Sequence, residues 1–308
     1  MIVGRDAPFA PQEGVAVIES LAAIDDADAL CSLAVLRGAG AWTRHSWPEA
    51  MELLARAAEL GSIEARSQLL VLAVDRELAV RVRSGEVREP GRWHKLKDSI
   101  DLETWIIPEP PVQVCTDPKV WTAENFAGPD LCNWLVSRSR DRFKPALMRD
   151  ATTGVASALD SRTCSDFPID VFDGGIVMLL LRIKISNVTS LPVPHMEPPQ
   201  IFHYSIGQEI KPHFDFLFDG KRGYGPDGSY TGDRLATFLM YLNDGYEGGG
   251  LEFPHSGYKY KGQQGDGIFF GSQRGGKPDR HSIHGATPVT RGEKFILSQW
   301  IHDRPFGA

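Results

Sequence analysis

Three side chains in the last third of the chain have the types and spacing of a metal site. His213 and Asp215 are separated by one residue in the stretch HYSIGQEIKPHFDFLFD, residues 203–219. If this stretch is a strand, the alternation of side chains directs both groups to the same face. An imidazole and a carboxylate placed side by side form a preorganised chelate for a divalent metal, which a third ligand would complete.

Two later histidines are candidates for the third ligand. His281 and His284 both lie in DRHSIHGATPV, and His284 is favoured because Lys294 follows it ten positions later. Two histidines and one carboxylate, with open coordination positions, form the facial triad of non-haem Fe(II) oxygenases. Catalytic zinc sites use the same ligand types, so a zinc hydrolase is an alternative at this point.

Lys294 indicates what such a metal would work with. The segment KFILSQWI, residues 294–301, is largely apolar on both alternating faces, which predicts a central, buried strand. A buried lysine needs an anionic partner, and a dicarboxylic cosubstrate chelating the metal at one end would offer its other carboxylate. The alternative is a lysine at the strand mouth whose ammonium group reaches solvent.

The elements that position these groups are predicted to be short strands with glycine-rich turns. Their close spacing indicates an α+β fold, a double-stranded β-helix (jelly roll) with flanking helices. We predict helices over residues 121–143 and 169–188, although the second could also be a strand. The predicted strands are 200–206, 212–218, 234–242, 250–253, 266–270, 285–289 and 294–302.

The first quarter of the chain has the sequence pattern of helices rather than strands. Residues 14–75 show helical periodicity, and DADALCSLAVL repeats as SIEARSQLLVL at a spacing of 36 residues. The segment WPEAMELLARAAELGSIEA resembles a Sel1-like repeat. We therefore predict a small all-α helical-repeat region at 1–80, a linker at 81–110 and the jelly-roll domain at 111–308. The repeat region would either dock a protein partner or cap the catalytic domain.

Composition excludes some classes of function. A net charge of −7 gives no reason to expect nucleic-acid binding. Neither a signal peptide nor an apolar run long enough to cross a membrane is visible, so the plain interpretation is a cytoplasmic protein.

As a set, these residues resemble the prolyl 4-hydroxylase-like group of 2-oxoglutarate- and Fe(II)-dependent dioxygenases. The resemblance runs from about residue 110 to residue 306, and its specificity lies in the ordered combination of motifs. The motifs are SRTC, QIFHYSIGQEIKPHFDF, GDRLATFLMYLND, GGGLEFP, GDGIFF and HGATPVTRGEKFILSQWIHD.

This resemblance implies roles for particular residues and cofactors. His213, Asp215 and His284 would bind Fe(II), Lys294 would pair with the distal carboxylate of 2-oxoglutarate, and Tyr204 would assist at that cosubstrate. O2 is the cosubstrate that completes the reaction, and ascorbate is a candidate reductant. Substrate-side roles are carried over to Arg162 and Arg234. The chain departs from the family pattern at Ile210, Leu251 and Phe270, which affects the surroundings of the site rather than the metal and cosubstrate residues.

The implied activity is hydroxylation of a C–H bond coupled to conversion of 2-oxoglutarate to succinate, with a prolyl residue of a peptide or protein as the expected substrate. Alternatives are a free amino acid or small metabolite as substrate, or a non-catalytic repeat-containing binding protein. The loop at 219–231 is expected to close over the substrate.

Overall fold

The computed structural model describes residues 8–73, 75–84, 86, 90–146, 148–149, 156–157, 163–217 and 232–306. The predicted lid loop at 219–231 and Arg162 lie outside these described residues. The described chain divides into two units, one comprising residues up to Ile107 with Asp170–Lys184, the other Pro108–Ile169 with the residues from Ile185 onward.

The helices have the following bounds. They are α1 Pro11–Ala22, α2 Ala27–Ala39, α3 Trp47–Glu59, α4 Ile63–Ala73, α5 Arg76–Arg83, α6 Arg92–Asp98, α7 Leu102–Ile106, α8 Pro129–Ser139 and α9 Val171–Thr189. Across the described ranges, no helix combines the length and apolar character needed to cross a bilayer.

The 36-residue repetition is a structural repeat. Helices α1 and α3 begin 36 positions apart, as do α2 and α4. The turn within each pair has a left-handed residue at the equivalent place, Asp25 with φ 64° and Gly61 with φ 102°. The next residue then caps the second helix: the Asp26 carboxylate accepts from Ala29 N, and Ser62 Oγ from the equivalent Ala65 N. The sequence repeat therefore encodes two copies of one helix–turn–helix unit.

The division of the chain differs from the predicted sequential one in two places. Residues 81–110, expected to be a linker, contain α6 and α7. The first part of α9 groups with the N-terminal helices. One of the contacts within this unit is made by a buried side chain: Gln68 Oε1 accepts from Ile176 N at 2.8 Å, where Gly175 (φ 56°) interrupts the helix. A Cβ at Gly175 would lie 2.3 Å from that same Gln68 oxygen, so the junction requires glycine.

The strands lie in the second unit. They are β1 Val112–Thr116, β2 Lys119–Ala123, β3 Lys144–Pro145, β4 Met148–Arg149, β5 Ala156–Ser157, β6 Ser165–Pro168, β7 Gln200–Tyr204, β8 Ile210–His213, β9 Arg234–Tyr241, β10 Glu247–Gly248, β11 Leu251–Phe253, β12 Tyr258–Tyr260, β13 Gly267–Gly271, β14 Gln273–Arg274, β15 Lys277–Pro278, β16 His284–Ala286, β17 Val289–Arg291 and β18 Lys294–His302.

Two antiparallel sheets enclose one core. In the described chain the larger sheet has eight strands in the order β1-β2-β13-β9-β18-β7-β6-β3, and the smaller has four in the order β12-β11-β16-β8. Apolar side chains from both sheets, such as Phe202 and Ile296 from the larger and Leu251 and Phe253 from the smaller, form one buried cluster. The predicted jelly roll with flanking helices is confirmed, and β18 is central and buried along its whole length, as predicted.

Two of the predicted elements differ substantially from their expected extent, and the ambiguous one is decided. Residues 121–123 belong to strand β2, and the helix begins only at Pro129, because Trp121 pairs with Phe269 of β13. The ambiguous segment near 169–188 is helical. The predicted strand at 212–218 ends at His213, so Asp215 lies beyond the strand. Its position next to His213 therefore has a different cause from side-chain alternation.

Candidate functional site

His213 and His284 lie side by side on two adjacent strands of the smaller sheet. They are directly paired residues of β8 and β16, and their ring centroids lie 4.4 Å apart. Gly285 permits this close pairing, because a Cβ at that position would lie 2.8 Å from the carbonyl oxygen of Ile210. Two residues that are 71 positions apart in the sequence are thereby fixed as neighbours by strand register.

Asp215 completes the cluster from the loop after β8. Its carboxylate oxygens lie 3.6 Å from His213 Nε2 and 3.5 Å from His284 Nε2. The hydroxyl of Thr237, a buried residue of β9, donates to Asp215 Oδ2 at 2.5 Å. All three potential ligand atoms lie within 4.8 Å of one another, which is a spacing that one metal ion can bridge.

Each imidazole is held by its other ring nitrogen. Nδ1 of His213 lies 3.0 Å from the carbonyl oxygen of Lys211, and Nδ1 of His284 lies 3.0 Å from that of Ser282. A carbonyl can only accept, so each Nδ1 carries the proton and each Nε2 presents a lone pair towards Asp215. This is the tautomer that a metal ligand requires, and it is set before any metal binds.

The electrostatics of the cluster favour an ionised carboxylate. Burial by itself would raise the pKa of Asp215, but interactions with the rings of His284 and His213 in their protonated form, and with Arg234, hold that pKa well below its ordinary value. A cation bound at the three groups would take the place of the ring protons, and it would meet one negative charge and two neutral nitrogen donors.

The two late histidines lie in different clusters of side chains. His284 lies with His213 and Asp215, whereas the Nδ1 of His281 lies 2.9 Å from the carboxylate of Asp117. The preference for His284 therefore agrees with the geometry.

Lys294 is buried beside the same cluster. It is 2% exposed, and its ammonium group donates to the carbonyl oxygen of Gly249 at 2.7 Å. Among the described residues no carboxylate lies within ion-pair distance of this nitrogen, and burial lowers the pKa of Lys294 to about 8. Tyr204, directly opposite on β7, places its ring centroid 5.2 Å from the ammonium nitrogen. A buried cation without a carboxylate partner is what an anionic cosubstrate would fit.

One cavity joins the metal cluster to Lys294. Among the residues that line it are His213, Asp215, His284, Tyr204 and Lys294, with an apolar wall that includes Leu239 and Ile296. Three buried polar atoms of this lining, Tyr241 Oη, Ser298 Oγ and Trp300 Nε1, have no hydrogen-bond partner within the described chain. Ser298 and Trp300 lie on the same face of β18 as Lys294, and all three atoms are available to a bound polar ligand.

The described residues around the cavity favour an oxygenase over a zinc hydrolase. In the part of the chain that the structure describes, its lining contains no carboxylate besides Asp215 and so offers no general base beside the ligands. The residues present instead fit Fe(II) at the three ligands and a keto diacid extending to Lys294.

Arg234 has a protein partner. Its guanidinium group forms two hydrogen bonds to Glu197, at 2.5 and 2.9 Å, and stacks on the ring of Trp300. His302 Nε2 also lies 2.7 Å from Glu197. Burial opposes ionisation of Glu197, but the hydrogen bonds from His302 and Arg234 hold its pKa below its ordinary value. The substrate role carried over to Arg234 stays a prediction, and the corresponding role of Arg162 lies outside the described residues.

Sequence reasoning missed Thr237, Glu197 and Gly249. Thr237 could have been noticed as the polar residue inside the apolar run ATFLMY, since a buried hydroxyl needs a partner. Gly249 acts through its backbone carbonyl, which no residue type can signal. Glu197 lies 37 positions from Arg234, and nothing in its local sequence indicates the pairing.

The comparisons with known proteins agree with this site. Residues 199–302 match the model of the 2OG-Fe(II) oxygenase superfamily, a span that contains all three clustered ligands and Lys294. Probable prolyl 4-hydroxylase 6 of Arabidopsis thaliana is 30% identical over 215 residues, which cover 63% of this chain and 73% of the relative. Probable prolyl 4-hydroxylase 9 of the same plant is 32% identical over 199 residues, 58% of this chain and 67% of the relative.

Among solved structures, the viral collagen prolyl hydroxylase of Paramecium bursaria Chlorella virus-1 in complex with 2OG has a TM-score of 0.45 and 24% identity. That match covers 61% of this chain and 98% of the viral one. On the strength of the sequence relatives and the matched domain, this chain belongs to the prolyl 4-hydroxylase-like 2-oxoglutarate- and Fe(II)-dependent dioxygenases.

Proposed function

We propose that the chain hydroxylates a prolyl residue in a peptide or protein, with His213, Asp215 and His284 as the ligands of Fe(II). The observation that carries the proposal is the single cavity in which these three side chains meet a buried lysine that has no carboxylate partner among the described residues. The plant relatives, which are named as prolyl 4-hydroxylases, support a prolyl substrate.

The chemistry supplied by the bound cofactors is oxidative. With Fe(II), 2-oxoglutarate and O2 in place, the keto acid is decarboxylated to succinate and CO2, one oxygen atom enters the succinate and the other enters a substrate C–H bond. The chain contributes positions and surroundings to this chemistry.

Each group near the metal cluster has a role in that arrangement. The two Nδ1–H donors orient the imidazoles, and the Thr237 hydroxyl fixes one carboxylate oxygen of Asp215. The Lys294 ammonium group binds the distal carboxylate of 2-oxoglutarate, and Tyr204 packs beside it. The apolar wall of Leu239 and Ile296 excludes water, which strengthens the ion pair with Lys294 and protects the oxidising centre.

The helical repeat is proposed to help recognise a protein substrate. Ile24 and Leu60 occupy equivalent places in the two repeat units and are 75% and 48% exposed. Single exposed apolar residues are common on protein surfaces, so the support for this role is that the two recur at the same place in both repeat units. Replacement of both by glutamate should lower turnover of a protein substrate and leave turnover of a short prolyl peptide unchanged, and an equal effect on both substrates would contradict this role.

The experiment for the main proposal is a succinate-release screen. Prolyl peptides, free proline and a cell extract are offered with Fe(II) and 2-oxoglutarate, and products are examined by mass spectrometry. Succinate release coupled to the gain of one oxygen atom on a prolyl ring in a peptide would support the proposal. Coupled turnover of free proline alone would contradict the peptide assignment, and succinate release with no prolyl product from any source would refute prolyl hydroxylation.

A further inference from the structure

A second cluster of metal-ligating side chains lies outside the cavity described above. The potential ligand atoms of Asp117, His255 and His281 lie within 4.8 Å of one another. Asp117 carboxylate oxygens are 2.9 Å from His281 Nδ1 and 3.7 Å from His255 Nε2. The two imidazole rings stack at a centroid separation of 3.7 Å with an angle of 9° between their planes.

Three separate loops build this cluster. Asp117 lies in the turn between β1 and β2, His255 follows β11, and His281 lies in the short 3-10 helix Arg280–Ser282. The carboxylate of Asp279 accepts from His281 N at 3.0 Å and so fixes the backbone that presents this imidazole. The geometry is thus supported by the fold, although the side chains themselves are partly exposed.

The local charges leave room for a cation. Arg274 contacts the carboxylates of both Asp117 and Asp279, so one positive and two negative side chains leave a net charge of −1 when the imidazoles are neutral. The Asp117 carboxylate faces both imidazoles and the Arg274 guanidinium group. Two protonated imidazoles stacked so closely would repel each other. Two neutral imidazoles sharing one bound cation would not.

The geometry points to a second metal site, formed by Asp117, His255 and His281, for a divalent transition-metal ion such as Zn(II). Imidazole and carboxylate ligands suit Zn(II), Cu(II) and Ni(II), whereas Mg(II) prefers oxygen donors and water. Three protein ligands leave a further position for water, as in open zinc sites. The bound ion would tie the three loops together just before the strand that carries His284, and it would not take part in the hydroxylation.

The test is a Zn(II) titration of the full chain against a chromophoric chelator. The wild-type protein should bind about two equivalents tightly, one at each cluster. The double variant His255→Gln/His281→Gln should bind about one, and so should Asp215→Ala, which retains only the second cluster. His94→Gln removes a surface imidazole that pairs with Glu52 and should still bind about two. Mg(II) should not compete at the second cluster.

Retention of the anaerobic Fe(II)–2-oxoglutarate absorption band in the double variant would show that it is folded and that the first site is independent. If the wild-type protein and the double variant take up the same amount of Zn(II), the second site is refuted. Loss of all tight binding in Asp215→Ala would refute it equally, because the remaining cluster should then still hold one ion.

Discussion

Replacement of Lys294 by methionine should weaken cosubstrate binding while leaving the fold intact. Methionine keeps much of the lysine's volume and removes its charge, so the carboxylate of 2-oxoglutarate would be buried without a partner. Breaking a buried ion pair from one side costs about 3–5 kcal/mol. This corresponds to a rise in the apparent KM for 2-oxoglutarate of roughly 150- to 5,000-fold.

The same substitution should have the opposite effect on the ligand-free protein. Burial lowers the pKa of Lys294 from 10.5 to about 8. At pH 7 this shift corresponds to about 3 kcal/mol of destabilisation by the charged form. Removing the charge should therefore stabilise the protein, but the loss of the hydrogen bond to Gly249 reduces this gain in stability by about 1 kcal/mol. The free energy of unfolding of the variant should therefore rise by about 2 kcal/mol.

The assay compares 2-oxoglutarate dependence and urea unfolding for wild type, Lys294→Met and the matched control Lys261→Met. Lys261 is an exposed lysine whose ammonium group donates to the carbonyl oxygen of Tyr246. It lies near enough to Lys294 to lower the pKa of Lys294. The control should keep its cosubstrate dependence. An unchanged KM in Lys294→Met, or an equal change in both variants, would refute the assignment of Lys294 as the anion site.

Four further outcomes follow from the site and its neighbours. Because the Lys294 pKa is about 8 in the free protein, the affinity for 2-oxoglutarate should fall by about tenfold per pH unit above pH 8. KM values for 2-oxoglutarate measured across alkaline pH should show this fall for the wild-type protein and not for Lys294→Met. The free energy of unfolding of the ligand-free protein should increase as the pH rises from 8 to 10.5, since deprotonation of Lys294 removes the buried charge. Urea unfolding of the wild-type protein and of Lys294→Met over this pH range measures the effect. A wild-type protein that gains no stability relative to the variant would contradict the burial argument. Thr237→Val removes the hydrogen bond to Asp215 and should weaken Fe(II) binding by roughly 10- to 100-fold, measured by anaerobic titration, with Thr122→Val of β2 as the buried control. Glu197→Gln should lower the melting temperature because Arg234 and His302 lose their anionic partner, and an unaltered melting temperature would show that this network does not stabilise the sheet.

The clustering of His213, Asp215 and His284 was predictable because two kinds of local signal coincide. His213 and Asp215 are close in sequence, and the ten-residue interval from His284 to Lys294 is characteristic of the family. The reason given for the pair was nevertheless wrong, since β8 ends at His213 and Asp215 is placed by Thr237. Long-range hydrogen bonds of this kind leave no periodic trace in the sequence.

The helical region shows the converse. The 36-residue repetition predicted the paired helices. The structure adds that the two units also share equivalent caps, at Asp26 and Ser62, which the prediction did not include. The repetition could not show that the Gln68 side chain accepts a hydrogen bond from Ile176 in the first part of α9, which lies more than a hundred residues later. The Sel1-like character of the repeat and the cytoplasmic location stay predictions.

The most direct test of the central claim is an anaerobic titration of the protein with Fe(II) and 2-oxoglutarate, followed by visible absorption. A weak charge-transfer band should appear with the wild-type protein, saturate at about one equivalent of Fe(II), and be lost in Asp215→Ala. Absence of the band in the wild-type protein, or its persistence in Asp215→Ala, would contradict the assignment of His213, Asp215 and His284 as the iron ligands.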